Sequence, residues 1–132
     1  MKKGFKDNIE KLTEENTNFR KVVYTGAHSQ LVLMAIPEGE EIGFEVHPDT
    51  DQFFRIELGQ GKVTINESIY EIQSGDGLVI PAGAKHNLEN TGQGMLRLYT
   101  IYSPAHHKDG TIHKTKAEAE SSHEEFDGVL SE

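Results

Sequence analysis

The sequence predicts an all-β domain, a small barrel or sandwich of two antiparallel sheets. Two observations carry this expectation. Short apolar runs recur from residue 19 to residue 102, and clusters of Gly, Pro, Asn or Asp separate nearly all of them. A length of 132 residues suits one domain with one modest core.

Residues 1–18 are expected to form an amphipathic arm. Phe5, Ile9 and Leu12 recur at helical spacing, and Thr13-x-x-Asn16 ends the pattern with no obvious cap. From Phe19 the period changes to alternation. Strands are predicted at 19–25 (FRKVVYT) and 30–36, around a Gly26-Ala27-His28 turn, and Pro37-Glu38-Gly39 makes the next turn. Further strands are predicted at 43–47, 52–58, 62–65, 69–72, 77–80 and 95–102. Gly59, Gly75 and Gly83 stand where turns need positive φ or close approach, and Asp76 reads as a turn residue. Phe53, Phe54, Ile56 and Leu58 are assigned to the core. The barrel thus covers 19–104. After Pro104 the pattern stops, leaving a loop (AHHKDGTIH) and an acidic stretch that is a short helix or a loose tail, together 105–132.

Charge narrows the function. With 22 acidic and 13 basic residues the formal charge is −9, which disfavours nucleic acid or an anionic membrane as the main partner. The absence of cysteine excludes disulfide scaffolds, thiolate zinc sites and cysteine nucleophiles. The longest apolar run, Leu31 to Ile36, is too short to span a bilayer, and acids interrupt the N-terminus where a signal peptide needs apolar residues. A cytoplasmic location is the expectation. Gly59-x-Gly61 precedes a strand and reads as a hairpin turn, not a phosphate cradle.

Four polar residues carry the candidate chemistry. Glu45 and His47 lie two apart on the predicted strand 43–47 and so leave from one face. Gln52 follows the Pro48-Asp49-Thr50 turn, and His86 follows Pro81-x-Gly83. Two imidazoles, a carboxylate and an amide oxygen suit a divalent Zn, Mn, Fe, Co or Ni ion. Glu45 is also a candidate general base. Gln52 is either a ligand or a hydrogen-bonding neighbour of one.

These residues resemble the cupin superfamily. Gly39, Glu45-x-His47, Gln52 and Gly59 keep the spacing of its first motif, and Gly75, Pro81-x-Gly83, His86 and Asn90 match its second at every position. From average usage, the Gly, Pro and Gly positions of the second motif coincide in only about 2 in 10⁴ windows. The segments SQLVLM, HPDTDQFFRIE, IPAGAKHN and LYTIYSP look like small single-domain bacterial cupins of the sugar-phosphate-isomerase-like (mannose-6-phosphate isomerase-like) group. The resemblance implies a cupin-type, jelly-roll-like β-barrel with a divalent metal on Glu45, His47, Gln52 and His86, and a homodimer. Two positions depart from it: the family's first histidine is Glu45 here, and its glutamate is Gln52. Glu45, His47 and His86 then form the two-histidine, one-carboxylate set of non-haem iron sites.

Three functional readings follow. The first is a metal-dependent isomerase or epimerase on a small carbohydrate or sugar acid. The second is an Fe(II) or Mn(II) oxygenase, and the third a non-catalytic binding module. His106, His107 and His113 read first as an exposed polar loop; the alternatives are a second metal site, or a lid hinged near Gly110 that lends a histidine to the pocket. Arg55 and Arg97 are expected to be exposed, Tyr24, Tyr99 and Tyr102 are left open between surface and pocket, and Glu118 to Asp127 are read as a solvated end.

Overall fold

The computed structural model describes all 132 residues. Helix α1 (Ile9–Glu15) precedes strands β1 (Arg20–Thr25), β2 (Gln30–Ile36), β3 (Asp51–Leu58), β4 (Gln60–Ile65), β5 (Ser68–Gln73), β6 (Gly77–Ile80), β7 (His86–Asn90), β8 (Leu96–Ser103) and β9 (Ile112–His113), and α2 (Lys116–Ser121) follows. A six-stranded sheet runs β6-β3-β8-β2-β1-β9 and a three-stranded sheet runs β5-β4-β7, every pairing antiparallel. No helix is long and apolar enough to cross a membrane.

The core lies between the sheets. Val32, Met34 and Ile36 of β2, Phe54 and Ile56 of β3, and Leu96 and Leu98 of β8 meet Val63, Ile72 and Leu88 from the smaller sheet. Leu33 and Ala35 point away from that cluster yet are buried, because α1 packs across β2, β3 and β8 on the outer face. A strand covered on both faces has no reason to alternate, which explains the unbroken run Leu31 to Ile36. The expected arm is therefore a structural cover. Asn8 Oδ1 caps α1 by accepting from the Lys11 N–H at 3.0 Å, and Asn16 ends it.

Several expected elements change. The segment 43–47 is not a regular strand: it touches β7 through isolated bridges Glu41↔Glu89 and Glu45↔His86. Gly43, at φ +103°, breaks the extended run between those bridges, and its N–H donates to Asn87 Oδ1 instead. β7 escapes a propensity reading because HNLEN is polar, yet four of its five residues are buried between β4 and the edge segment. Phe54 and Ile56 are core residues, whereas Phe53 leaves from the opposite face and is half-buried, and Leu58 is exposed beyond the register shift that follows Ile56.

The other turn assignments hold. Gly59, Gly75 and Gly83 all sit at positive φ. A Cβ on Gly59 would also meet Met95 O at 3.0 Å, so that turn needs glycine twice over. Asp76 closes its turn by accepting from the Gln73 N–H at 2.9 Å. Asn90 ties sheet to sheet, its Nδ2 donating to Ile36 O and Gly94 O at 2.8 Å each.

Candidate metal centre

Backbone pairing brings the candidate ligands together. The Glu45 N–H donates to His86 O at 2.9 Å and the His86 N–H to Glu45 O at 3.0 Å, so these residues face each other across one antiparallel bridge. Their side chains therefore leave on the same side. His47, two residues beyond Glu45, joins that side, and its carbonyl accepts from the Gly83 N–H at 2.9 Å. Donor atoms of Glu45, His47 and His86 all lie within 4.8 Å of one another.

The set can hold a metal ion. His86 Nδ1 donates to Ala84 O at 3.0 Å; a carbonyl only accepts, so the ring's Nε2 carries a bare lone pair. That Nε2 is buried without a partner, and so is His47 Nε2. His47 Nε2 stands 3.2 Å from Glu45 Oε2 without hydrogen-bond geometry, a separation two donors adopt on one ion with bonds of about 2.0–2.2 Å. Gln52 donates from Nε2 to Thr100 Oγ1 at 3.0 Å, leaving its Oε1 buried and unpartnered. Each such orphan costs roughly 1–3 kcal/mol, which coordination would offset. Glu45, His47 and His86 thus converge, while Gln52 stands on β3, paired in register with Tyr102.

The histidines after Pro104 are not an exposed loop. Gln30, fully buried on β2, accepts at Oε1 from the N–H groups of His106 (3.2 Å) and His107 (3.0 Å) and donates from Nε2 to His107 O (2.7 Å). One buried amide satisfied by loop backbone pins the segment over the barrel mouth. The His106 ring lies 4.3 Å from that of His47 and stacks on Tyr102 at 5.5 Å. His107 is buried, with Nε2 3.2 Å from the Tyr102 hydroxyl and Nδ1 2.8 Å from Glu124 Oε1. His113 is buried against Arg20 Nη1 at 3.2 Å. Glu124 likewise departs from the expected solvated end: it is half-buried and paired.

Burial alone would raise the Glu45 carboxyl, but His47 beside it and the charges of Arg20 and His86 outweigh that and hold it below its ordinary value. Burial lowers His86, against the Ala84 carbonyl, and lowers His106 to about 4, helped by His107 and His47. Desolvation raises the Tyr102 hydroxyl. His86, His106 and Tyr102 are therefore neutral near pH 7, beside an ionised Glu45.

Arg55 and Arg97 stay away from the pocket, on Glu57 Oε1 at 3.3 Å and Asn16 O at 3.1 Å. Arg20 and Gln30 are inward residues that the sequence analysis did not single out. The signal for Arg20 was its phase, since it shares the inward face of β1 with Val22. Tyr102 resolves as a pocket residue, whereas Tyr24 donates to Glu132 Oε2 at 2.7 Å near the surface.

Comparison with known proteins agrees with this architecture. The family model described as "Cupin domain" matches residues 32–102. The uncharacterized protein YrkC of Bacillus subtilis is 44% identical over 123 residues, covering 89% of this chain and 66% of its own. The uncharacterized protein L612 of Acanthamoeba polyphaga mimivirus is 41% identical over 109 residues, 80% of this chain and 68% of its own. The chain thus spans about two thirds of the length of these relatives. The crystal structure of BH2720 from Bacillus halodurans superposes with a TM-score of 0.90 at 43% identity, over 91% of this chain and 96% of that one. The two motifs, the paired sheets and these matches lead to one conclusion: the chain belongs to the cupin domain family.

Proposed function

We propose that this cupin holds a divalent transition metal on Glu45, His47 and His86 and moves a proton in a small metabolite bearing a carbonyl and hydroxyl or carboxyl groups, an isomerase- or epimerase-like reaction. The observation that carries the reading is the pair of buried imidazole nitrogens without hydrogen-bond partners converging with one carboxylate. A bound ion would supply Lewis-acid polarisation of a carbonyl oxygen. Ala84 fixes the His86 tautomer, and the Glu45↔His86 bridge fixes the spacing of two ligand-bearing segments. His106 and Tyr102 pack beside His47, with ring centres 4.3 and 5.8 Å from its own. In this reading Glu45 or His106 carries the proton.

The donor set itself favours a second reading, an Fe(II) or Mn(II) oxygenase, because two histidines and one carboxylate suit that chemistry. One experiment separates the two. Metal-loaded protein is incubated in D₂O, with air excluded, against small hydroxy acids, keto acids and sugars, and carbon-bound proton exchange is followed by NMR. Exchange that disappears in His86→Ala supports the proton-transfer reading. Turnover seen only with oxygen supports the oxygenase. Ligand-dependent thermal stabilisation without turnover under either condition leaves a binding module.

A further inference from the structure

Arg20 is a buried cation without a paired anion. Only 6% of the residue is exposed, and no carboxylate oxygen lies within 4.0 Å of the guanidinium. Its Nη1 donates to neutral His113 Nδ1 at 3.2 Å, its Cζ lies 5.3 Å from the Phe19 ring centre, and its Nε is buried with no partner. An arginine cannot shed its charge, so burying it with an unsatisfied N–H is costly unless something else completes it.

What could complete it is set by the space beside it. Arg20 lines a cavity of about 160 Å³ together with Phe19, Ile42, Glu45, Lys116 and Glu120. Two of these need no further partner: Lys116 Nζ and Glu120 Oε1 stand 3.8 Å apart. Glu45 is a candidate metal ligand, and a bound cation would neutralise it. With an ion on Glu45, Arg20 is left as the buried charge of the cavity wall without an ion-pair partner; without one, Arg20 and the Glu45 carboxylate face the same cavity and stabilise each other. A planar guanidinium with free N–H donors matches a carboxylate, and the volume suits a small acid.

We propose that Arg20 is the carboxylate-binding residue of the site, so that the ligand is a small organic acid anchored on Arg20 while its remaining oxygens reach toward Glu45. This deepens the reading above and rests on it for the second anchor only. His113 supports the guanidinium from β9, which gives the short strand and its buried histidine a purpose beyond covering an edge.

The test compares glycolate with glycolamide, its uncharged counterpart, by calorimetric titration of the full chain in zinc-loaded and metal-free forms. The wild type should prefer glycolate by about tenfold or more, as a charge-assisted pair requires. Arg20→Gln should abolish that preference, and Arg20→Lys, which keeps the charge without the planar fork, should retain part of it. Equal binding of the two probes by the wild type, or an undiminished glycolate preference in Arg20→Gln, overturns the proposal. If Arg20→Gln does not fold, the wild type and Arg20→Lys decide it, since an undiminished preference in the lysine variant also overturns the bidentate anchor. Tighter binding of inorganic phosphate than of glycolate would overturn the carboxylate assignment. Failure of zinc to bind would refute the metal centre alone, because a metal-free titration of Glu45→Gln, which removes the carboxylate facing the same cavity, still reads Arg20.

Discussion

At the scale of single residues, the chemistry turns on which side-chain atoms are satisfied. Glu45 supplies a hard carboxylate where the resemblance leads one to expect imidazole. Glu45→His should therefore raise affinity for nickel relative to manganese by roughly tenfold or more, read by competition with a chromophoric chelator. An unchanged nickel-to-manganese ratio would show that Glu45 does not ligate. Glu124 makes a separate, pH-dependent contribution. Burial would raise its carboxyl, but the His107 ring and the Lys108 N–H hold it at about 2. A carboxyl depressed in the folded state stabilises the fold above its unfolded value and loses that contribution as pH falls toward the folded one. His107, lowered mainly by burial, acts in the same direction below about 6.5 because the unfolded chain takes up its proton first. Solvent screening of the half-buried pair leaves about 1–2 kcal/mol for Glu124. In urea unfolding of metal-free protein, Glu124→Gln should be less stable than wild type by that amount near neutrality. The gap should close as pH falls from about 4.5 toward about 2. A gap independent of pH would contradict the pairing.

At the scale of elements, the centre depends on how closely β4, β7 and the edge segment approach one another. Gly61 is where that approach is tightest: a Cβ there would stand 2.5 Å from Glu89 O and 3.0 Å from Leu96 Cδ2. Gly61→Ala should push β7 from β4, lowering stability by about 1–3 kcal/mol and loosening metal binding through His86; an unchanged urea midpoint would contradict this. Short apolar strands bounded by glycine, proline or polar turns were legible in the sequence, as β1, β2, β3, β4, β5, β6 and β8 show. β7 was not, because its residues are buried by tertiary pairing and not by hydrophobicity, and 43–47 failed as a strand because Gly43 interrupts it. The segment after Pro104 misled for a related reason. Its histidines look solvated by composition, but they meet Gln30 and Arg20 from far away in sequence, and Tyr102 and Glu124 from either side of the segment.

At the scale of the molecule, two sheets, a covering helix and a C-terminal strap close around one polar cluster. The strap is anchored along its length: Phe126 N–H donates to His106 O at 3.0 Å, Ser131 N–H to Thr25 O at 3.0 Å, and Glu132 accepts from the N–H groups of Lys3 and Gly4. Hydrogen exchange across residues 105–113 should therefore be slow even without ligand, and fast exchange there would contradict a pinned cover. Much of the candidate site was legible in the sequence: the spacing of the two motifs placed Glu45, His47 and His86, and the fold brings them together. Arg20 was not, since its role arises from strand phase, and His106 was legible only as the alternative of a loop lending a histidine to the pocket, because spacing does not encode the fold-back that places it beside His47. The central claim is the metal centre itself, and zinc titration of metal-free wild type against His86→Ala, monitored with a chelating indicator, tests it most directly. The account predicts one zinc per wild-type chain and an affinity lower by roughly a hundredfold in a folded His86→Ala. No uptake by the wild type, or equal affinity in the variant, would contradict it.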